Sequence, residues 1–308
     1  MKKNKFKKIL LIFIILISMT GCTKVLKNSE GKTVQNKTTG QNLTANILCQ
    51  PESKESIKLY KENGVNIKKL PKCSELSVTS GKYEGVWTTI FVKPLAWLLI
   101  RIGEIVKSYG LAVILVTLII RTIVYPFTKS TAMQSENMKK ARPELDKLEK
   151  KYKDKQDQQS MMNKSQEMMM IYKKYGIKPM AGCLFTFIQI PLFFAFYESL
   201  NRLPAIFEEN FLGFQLGTTP IQGVSNGHYL YLIFTILIIA VTFFSFKLNA
   251  GASMSSEQEK QMKMMNNMMI IFISIASLSL STGIALYWIA NSGFTIIQNL
   301  IVKRKKLN

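Results

Sequence analysis

Apolar residues in this chain are gathered into long runs that polar, mostly basic segments separate. The clearest run covers residues 110–128 and contains a single charged residue, Arg121. A helix needs roughly 20 apolar residues to cross a hydrocarbon core of about 30 Å. Arg121 lies ten residues after Leu111, which corresponds to on the order of 15 Å along a helix that rises ~1.5 Å per residue. We therefore predict a membrane-spanning helix with a guanidinium group near its middle.

Further apolar runs follow the same pattern, and each has a helical face that carries Ser, Thr, Gln, Asn or Tyr. The last two runs are joined tightly at Ser281-Thr282-Gly283, which favours antiparallel neighbours. This pattern predicts an all-α polytopic membrane protein with five transmembrane helices. Their predicted bounds are residues 110–128, 183–201, 229–247, 266–281 and 283–302.

The segment of residues 129–179 is strongly basic and has two helical apolar stripes, so it predicts a helical hairpin. Its turn is expected over residues 154–160, and its second helix is expected to stop near Gly176. Pro126 is expected to end or kink the span before it. The basic character places the hairpin in the cytoplasm, as it does the tail that follows residue 302. The methionines of the second stripe either form an adaptable surface for apolar partners or pair the two helices.

The amino terminus has the pattern of an export signal over residues 1–21, with a basic start and a short apolar run. Cys22 ends a segment that resembles a bacterial lipobox, so we expect it to be lipidated and to anchor the mature chain outside the cell. The alternative is an uncleaved anchor helix in which Cys22 is incidental.

Residues 22–85 are polar and are expected to form an extracytoplasmic tether with one short helix over residues 54–62. Cys49 and Cys73 lie in this exported segment. They form either a disulfide, which an oxidising exterior would allow, or two free thiols.

Residues 86–107 alternate apolar and charged positions at helical spacing. Their charges favour an amphipathic helix in the outer membrane interface, although a sixth span remains the alternative. Residues 108–308 then form the core of the protein.

Charge and composition exclude several classes of function. The formal net charge is +22, but the basic residues flank apolar spans, which favours anionic lipid headgroups over nucleic acid as the partner. The chain has one histidine and no Cys pair at metal-binding spacing. It also lacks a phosphate-binding loop and a nucleophile motif, so we expect neither an enzyme nor a cofactor or metal.

Arg121 needs a polar environment, because a charged side chain at the bilayer centre costs at least about 2.5 kcal/mol. Thr117 and Tyr125 share its helical face, and Asn291 lies on the polar face of the last span. If these faces converge, they form a hydrophilic groove. The competing interpretation is a buried arginine paired with a carboxylate, for which Glu198 is the one acidic residue within the predicted spans.

Four segments resemble successive signature segments of the YidC/Oxa/Alb membrane protein insertases, and more closely their Gram-positive lipoprotein form. The segments are LVTLIIRTIVYPFTKS, ARPELDKLEKKYKDK, QEMMMIYKKYGIKPMAGCLFTFIQIPLFFAFYESL and GIALYWIANSGFTIIQ. One departure is that no proline precedes Gly283, where the family commonly has one.

The resemblance implies five spans around a groove that opens to the cytoplasm and to lipid. It also implies that Arg121 is the groove cation, that Gln189 and Trp288 line the same groove, and that the hairpin receives substrate. The expected function is the insertion and folding of membrane proteins, and of lipoproteins, in the bacterial plasma membrane. Expected partners are nascent membrane proteins, the Sec translocon and the ribosome. A small-solute or ion transporter with a cationic midplane site is the alternative, although paired homologous halves are not evident.

Overall fold

The computed structural model describes residues 23–155, 157–178, 181–249 and 256–305. The predicted signal peptide and Cys22 lie outside the described residues. Helices dominate the described part of the chain. They are α1 (Lys54–Glu62), α2 (Lys93–Val106), α3 (Tyr109–Tyr152), α4 (Gln158–Lys174), α5 (Ala181–Arg202), α6 (Pro204–Phe207), α7 (Pro220–Ser225), α8 (Leu232–Asn249), α9 (Ser256–Ser277) and α10 (Thr282–Lys305).

Among the described residues, three helical stretches are long and apolar enough to cross a membrane. They are Tyr109–Pro126, Tyr229–Leu248 and Thr282–Val302. The other two predicted spans fall on α5 and α9, which are long helices outside this set. The helical class is therefore established, and three of the predicted spans have the composition of membrane helices.

Helix α3 continues through Pro126 and Pro143 to Tyr152. Of the two alternatives predicted for Pro126, an end of the helix is excluded and a kink stays a prediction. A proline removes one backbone hydrogen bond and bends a helix, but a helix of 44 residues keeps enough bonds on both sides to continue. The first predicted span and the first helix of the hairpin are consequently one element.

The hairpin formed by the end of α3 and by α4 has its own apolar core. Asp157 caps α4 by accepting a hydrogen bond of 2.8 Å from the Ser160 amide. The chain leaves the helix at Gly176, whose φ of +64° is a conformation that glycine adopts readily. The buried core between the two helices consists of Met138, Ala141, Leu145, Tyr172 and Ile177.

The chain divides into two compact units. The first unit contains Met1–Thr117, Ile190–Thr235 and Ser277–Trp288, and the second contains Leu118–Gln189, Ile236–Ala276 and Ile289–Asn308. The hairpin core lies in the second unit.

Residues 23–84 of the first unit are folded around a core, whereas the sequence predicted a polar tether with one short helix. Helix α1 has the predicted bounds, and isolated antiparallel bridges join Val25 to Thr44 and Gln35 to Asn42. Apolar residues that are sparse in the sequence converge on one core: Leu26, Val34, Leu43, Ile47, Tyr60 and Ile67, together with Phe207. We call residues 23–84 the N-terminal module.

Cys49 and Cys73 are joined by a disulfide in this module, with their Cα atoms 4.9 Å apart. Both residues are buried. Beside the bond, Gln50 donates its backbone N–H to the carbonyl of Pro71 at 2.9 Å and its side-chain amide to Leu70 at 2.6 Å. The disulfide thus fastens two chain segments that also pair through their backbones.

Residues 86–107 form a π-helical turn over Thr88–Val92 followed by α2. One face of α2 is buried, including Leu99 and Ile100, whereas Trp97 and Ile105 are exposed. The placement of this helix in the outer membrane interface stays a prediction. Helix α2 ends where Lys107 adopts a left-handed φ of +54°.

Candidate functional site

Arg121 lies on α3 and is 3% exposed. Its Nε donates a hydrogen bond of 2.5 Å to Oδ1 of Asn291 on α10. Both residues belong to the second unit. The structure therefore brings together the cation and one of the polar residues that the sequence singled out.

Two more contacts continue this pairing along the same helices. The rings of Tyr125 and Phe294 meet edge to face with centroids 6.4 Å apart. One step further, the Thr128 hydroxyl donates to Oε1 of Gln298 at 3.0 Å. Residue numbers rise together on both helices, so α3 and α10 run parallel where they face each other. The result is a ladder of side chains in which Arg121–Asn291 is the first rung.

Each of the other predicted groove residues, Thr117, Trp288 and Gln189, lies within one of the two units. Thr117 is buried in the first unit, and its hydroxyl donates to the Val113 carbonyl of its own helix at 2.6 Å. Trp288 is half-buried in the same unit, with its ring edge-on to Phe193 at 5.5 Å. Gln189 is half-buried and is the last residue of the range Leu118–Gln189 in the second unit.

Glu198 is engaged with a basic residue that the sequence analysis did not single out. Arg202 is fully buried and donates from Nη1 to Glu198 Oε1 at 2.8 Å. Glu198 also accepts from the indole N–H of Trp87 at 3.1 Å, and Arg202 Nη2 forms an ion pair with Glu84. The spacing of four residues between Glu198 and Arg202 on one helix was a signal that could have found this pair.

A single loop ties together the first turns of the three candidate membrane helices. Glu209 accepts from the backbone N–H of Tyr109 at 2.5 Å, and Gln215 donates its backbone N–H to the Tyr231 hydroxyl at 2.9 Å. Leu216 accepts from the N–H of Gly283 at 2.8 Å. We call residues 208–219 the hub loop. Because the hub loop contacts the beginning of each helix, the first turns of all three helices lie around this one loop.

Among the described residues, no group of three or more His, Cys, Asp and Glu side chains is arranged to hold a metal ion. The features that stand out in these ranges are instead the buried Arg121 ladder and the hub loop.

Comparisons with known proteins show the family of this chain. The model of the 60Kd inner membrane protein family matches residues 101–308. The membrane protein insertase YidC of Oceanobacillus iheyensis is 33% identical over 223 residues, which cover 72% of this chain and 85% of that protein. The membrane protein insertase YidC of Alkalihalophilus pseudofirmus is 36% identical over 224 residues, covering 70% and 81%.

Two further similarities support the same relationship. The membrane protein insertase MisCA of Bacillus subtilis is 33% identical over 218 residues, which cover 70% of this chain and 79% of that protein. A crystal structure described as an active YidC insertase with its first transmembrane domain resolved matches with a TM-score of 0.50 at 23% identity. That match covers 80% of this chain and half of the solved chain, and it supports the fold alone. By the family model and these relatives, the chain belongs to the 60Kd inner membrane protein family.

Proposed function

We propose that this protein is a membrane protein insertase that inserts and helps fold integral membrane proteins. The proposal is supported by the family to which the chain belongs and by the names of its relatives. The observation that carries it furthest is Arg121, a cation 3% exposed on a helix of membrane-spanning length. Such a charge is costly in hydrocarbon and usually marks a substrate or ion pathway.

In this proposal five helices cross the bacterial plasma membrane, with α5 and α9 as the second and fourth spans. The hub loop faces outward, since residues 203–228 contain two Glu residues and no Lys or Arg. The basic hairpin and the basic tail face the cytoplasm. Cys22 is lipidated and holds the N-terminal module at the outer surface.

Arg121 attracts acidic residues in the hydrophilic part of an incoming chain. Its partner in the ladder, Asn291, is a neutral amide, so the Arg121–Asn291 pair keeps a net charge of +1. A low-dielectric surrounding strengthens charge attraction. Release then depends on the hydrophobic gain of the substrate and on the membrane potential, which contributes about 2.3 kcal/mol per charge per 100 mV.

Tyr125, Gln189, Trp288 and Thr117 are proposed to line the same hydrophilic path as Arg121 and Asn291. The path opens to the cytoplasm and to lipid, so the substrate's apolar segment leaves sideways. Insertion proceeds without a nucleotide or other cofactor, either alone or beside the Sec translocon.

The hairpin is proposed to receive the incoming chain, with the ribosome close by. Met161, Met162, Met169 and Met170 of α4 are all at least half exposed, so they do not fill the hairpin core. Flexible thioether side chains adapt to apolar segments of different shape. Their exposure favours the adaptable-surface interpretation over the one in which they pair the helices.

The charge of Arg121 can be tested by substitution. We expect Arg121→Ala to lower the insertion of acidic-tailed substrates about tenfold or more, since about 1.4 kcal/mol of lost attraction gives a factor of ten. Arg121→Lys should retain most of the activity. Asn291→Asp places a carboxylate against the guanidinium, so it should preserve the fold and still lower insertion. The measurement is protease protection of the translocated tail in proteoliposomes, and normal insertion by Arg121→Ala would contradict the mechanism.

A transporter of small anions is the second candidate for a cationic site at mid-depth. Deletion of residues 139–174 separates the two functions, because an insertase needs the hairpin to receive its substrate. We expect this deletion to abolish insertion. If the deleted protein still inserted its substrates normally, the proposed role of the hairpin would be wrong.

A further inference from the structure

The hub loop contains a short β-hairpin whose tip carries an unusual residue. Strands β1 (Asn210–Phe211) and β2 (Phe214–Gln215) pair antiparallel, and Leu212 and Gly213 form the two-residue turn between them. Both turn residues have positive φ, +53° for Leu212 and +85° for Gly213. Asn, Asp or Gly is the usual first residue of such a turn. The leucine therefore occupies this position against the preference of the backbone.

Leu212 also projects away from the protein. It is 81% exposed, the largest exposed fraction among the large apolar residues that the structure describes as exposed. No residue from 210 to 215 carries a charge. A non-glycine residue in an unfavourable backbone conformation is a basis for a hypothesis of function, and here its apolar side chain is exposed on an uncharged tip.

The two phenylalanines on either side of the turn fix the hairpin to the protein. The Phe211 ring fills the space beside Gly110, where a Cβ atom would lie 2.3 Å from the Phe211 Cγ. The Phe214 ring meets Tyr231 and Phe234 edge-on, at 5.2 Å and 4.9 Å between centroids. The direction in which Leu212 points is therefore set by packing.

The contacts of Phe211 and Phe214 also place the hairpin relative to the ends of the candidate membrane helices. Gly110 is the second residue of the candidate membrane stretch Tyr109–Pro126, and Tyr231 is the third of Tyr229–Leu248. The hairpin thus lies where two apolar helices begin, which is the level of the boundary between headgroups and acyl chains. Tyr229 and Leu230, the first residues of the second stretch, are 68% and 75% exposed, so exposed apolar side chains also lie at the beginning of this helix.

We propose that the hairpin of residues 210–215 is an interfacial membrane anchor and that Leu212 inserts among the lipids of the leaflet next to the hub loop. The occupant is lipid because the hairpin packs on the first turns of two membrane-length helices. Burial of the leucine in the acyl boundary compensates for its unfavourable backbone conformation. The anchor holds the hub loop, and with it the first turns of three helices, at a fixed depth.

A tryptophan at the tip reports the depth directly. Leu212→Trp is compared with the parent protein and with Lys32→Trp, a control in the N-terminal module whose native side chain is 77% exposed. Each protein is placed in phosphatidylglycerol-containing vesicles with or without lipids brominated near the top of their acyl chains. We expect the fluorescence added at position 212 to fall about twofold with the brominated lipids and to be blue-shifted, as for a side chain in the interface. The Lys32→Trp signal should not change.

Leu212→Asn provides a second test, the heat stability of the protein in vesicles. Backbone preference and membrane anchoring predict opposite changes in this stability. Asparagine suits the left-handed turn better than leucine does, so the backbone alone predicts a more heat-stable variant in vesicles. Membrane anchoring predicts a less stable one, with Leu212→Met close to the parent protein. Unquenched fluorescence at position 212, or a stabilised asparagine variant, would overturn the proposal.

Discussion

Each of the two units is stabilised internally by a different kind of interaction. In the first unit, a disulfide, the ion pair between the buried Arg202 and Glu84, and the hub loop connect segments that are far apart in the sequence. In the hairpin of the second unit, the ion pairs Lys151–Glu167 and Lys174–Glu144 have side chains from 32% to 62% exposed. Exposed ion pairs contribute little to stability.

This difference corresponds to the proposed roles of a unit with fixed geometry and a hairpin that adapts to its substrate. A unit cross-linked through buried polar groups keeps one geometry, because each broken link leaves an unsatisfied group behind. A hairpin with a small core, exposed methionines and surface ion pairs opens at low cost. An insertase that accepts many substrates benefits from a fixed region and an adaptable one.

Removal of Arg202 should have the largest effect on the first unit. Arg202→Leu leaves Glu198 buried without its cation, and breaking a buried pair in this way costs about 3–5 kcal/mol. We expect a clear fall in the thermal unfolding temperature of the purified protein. Arg202→Lys keeps the charge but loses the planar fork that bonds Glu198 and Glu84 together, so its loss should be smaller. If Arg202→Leu unfolded at the temperature of the parent protein, the buried links would not be what holds this unit.

Loss of the disulfide should have the second largest effect on the stability of the first unit. Cys49 and Cys73 are 24 residues apart, and a bond that closes a loop of this length contributes about 3 kcal/mol in the chain-entropy model. We expect Cys49→Ser to make the N-terminal module sensitive to protease at temperatures where the parent resists.

Reduction of the parent protein provides the control for the cysteine substitution. It should change the electrophoretic mobility of the unreduced parent and have no effect on Cys49→Ser. Equal protease resistance of the parent and the variant would contradict the view that the bond fastens the module.

The hairpin should respond to acid with the smallest effect. Hydrogen bonds from Lys174 and Tyr175 lower the pKa of Glu144 below its ordinary value of 4.5, and those from Lys151 and Tyr152 do the same for Glu167. A lowered carboxyl pKa stabilises the folded form above pH 4.5, and this stabilisation is lost as the pH falls through the lowered value. Spin-label distances between α3 and α4 should therefore widen below about pH 4.5.

A variant with Glu144→Gln and Glu167→Gln is the matched control for the acid experiment. It should show the wider distance distribution already at pH 7 and should not respond to acid. If this variant had the same distance distribution as the parent at pH 7, these pairs would not be what holds the hairpin closed.

Periodicity together with helix start and stop signals was enough to predict the helical class and the positions of several elements. Helix α1 has the predicted bounds, and Asp157 caps α4 within the predicted turn. The polar face of α3 was also readable, because Arg121 and Tyr125 are one turn apart and both meet α10. These features could be predicted because they depend on residues that lie close together in the sequence.

Contacts between distant segments could not be predicted in the same way. The core of the N-terminal module uses isolated apolar residues such as Leu26 and Leu43 in a polar background, so no window of the sequence reveals it. Arg202 joins Glu198 and Glu84 through folding that brings residues 118 positions apart together. For Pro126, the sequence left open a helix end or a kink, and only the structure excluded the end, because the local proline rule takes no account of how far α3 continues.

The most direct test of the account is whether a substrate passes along the Arg121 ladder. A photoreactive amino acid at Gln189 or Tyr125, both half-buried, should crosslink to nascent membrane proteins in cells. A probe at Ile236, which is 63% exposed, should crosslink mainly to lipid, and an added Arg121→Ala substitution should weaken the crosslinks of acidic-tailed chains. Crosslinks from Ile236 as strong as those from Gln189 and Tyr125, or crosslinks unaffected by Arg121→Ala, would contradict the cationic path.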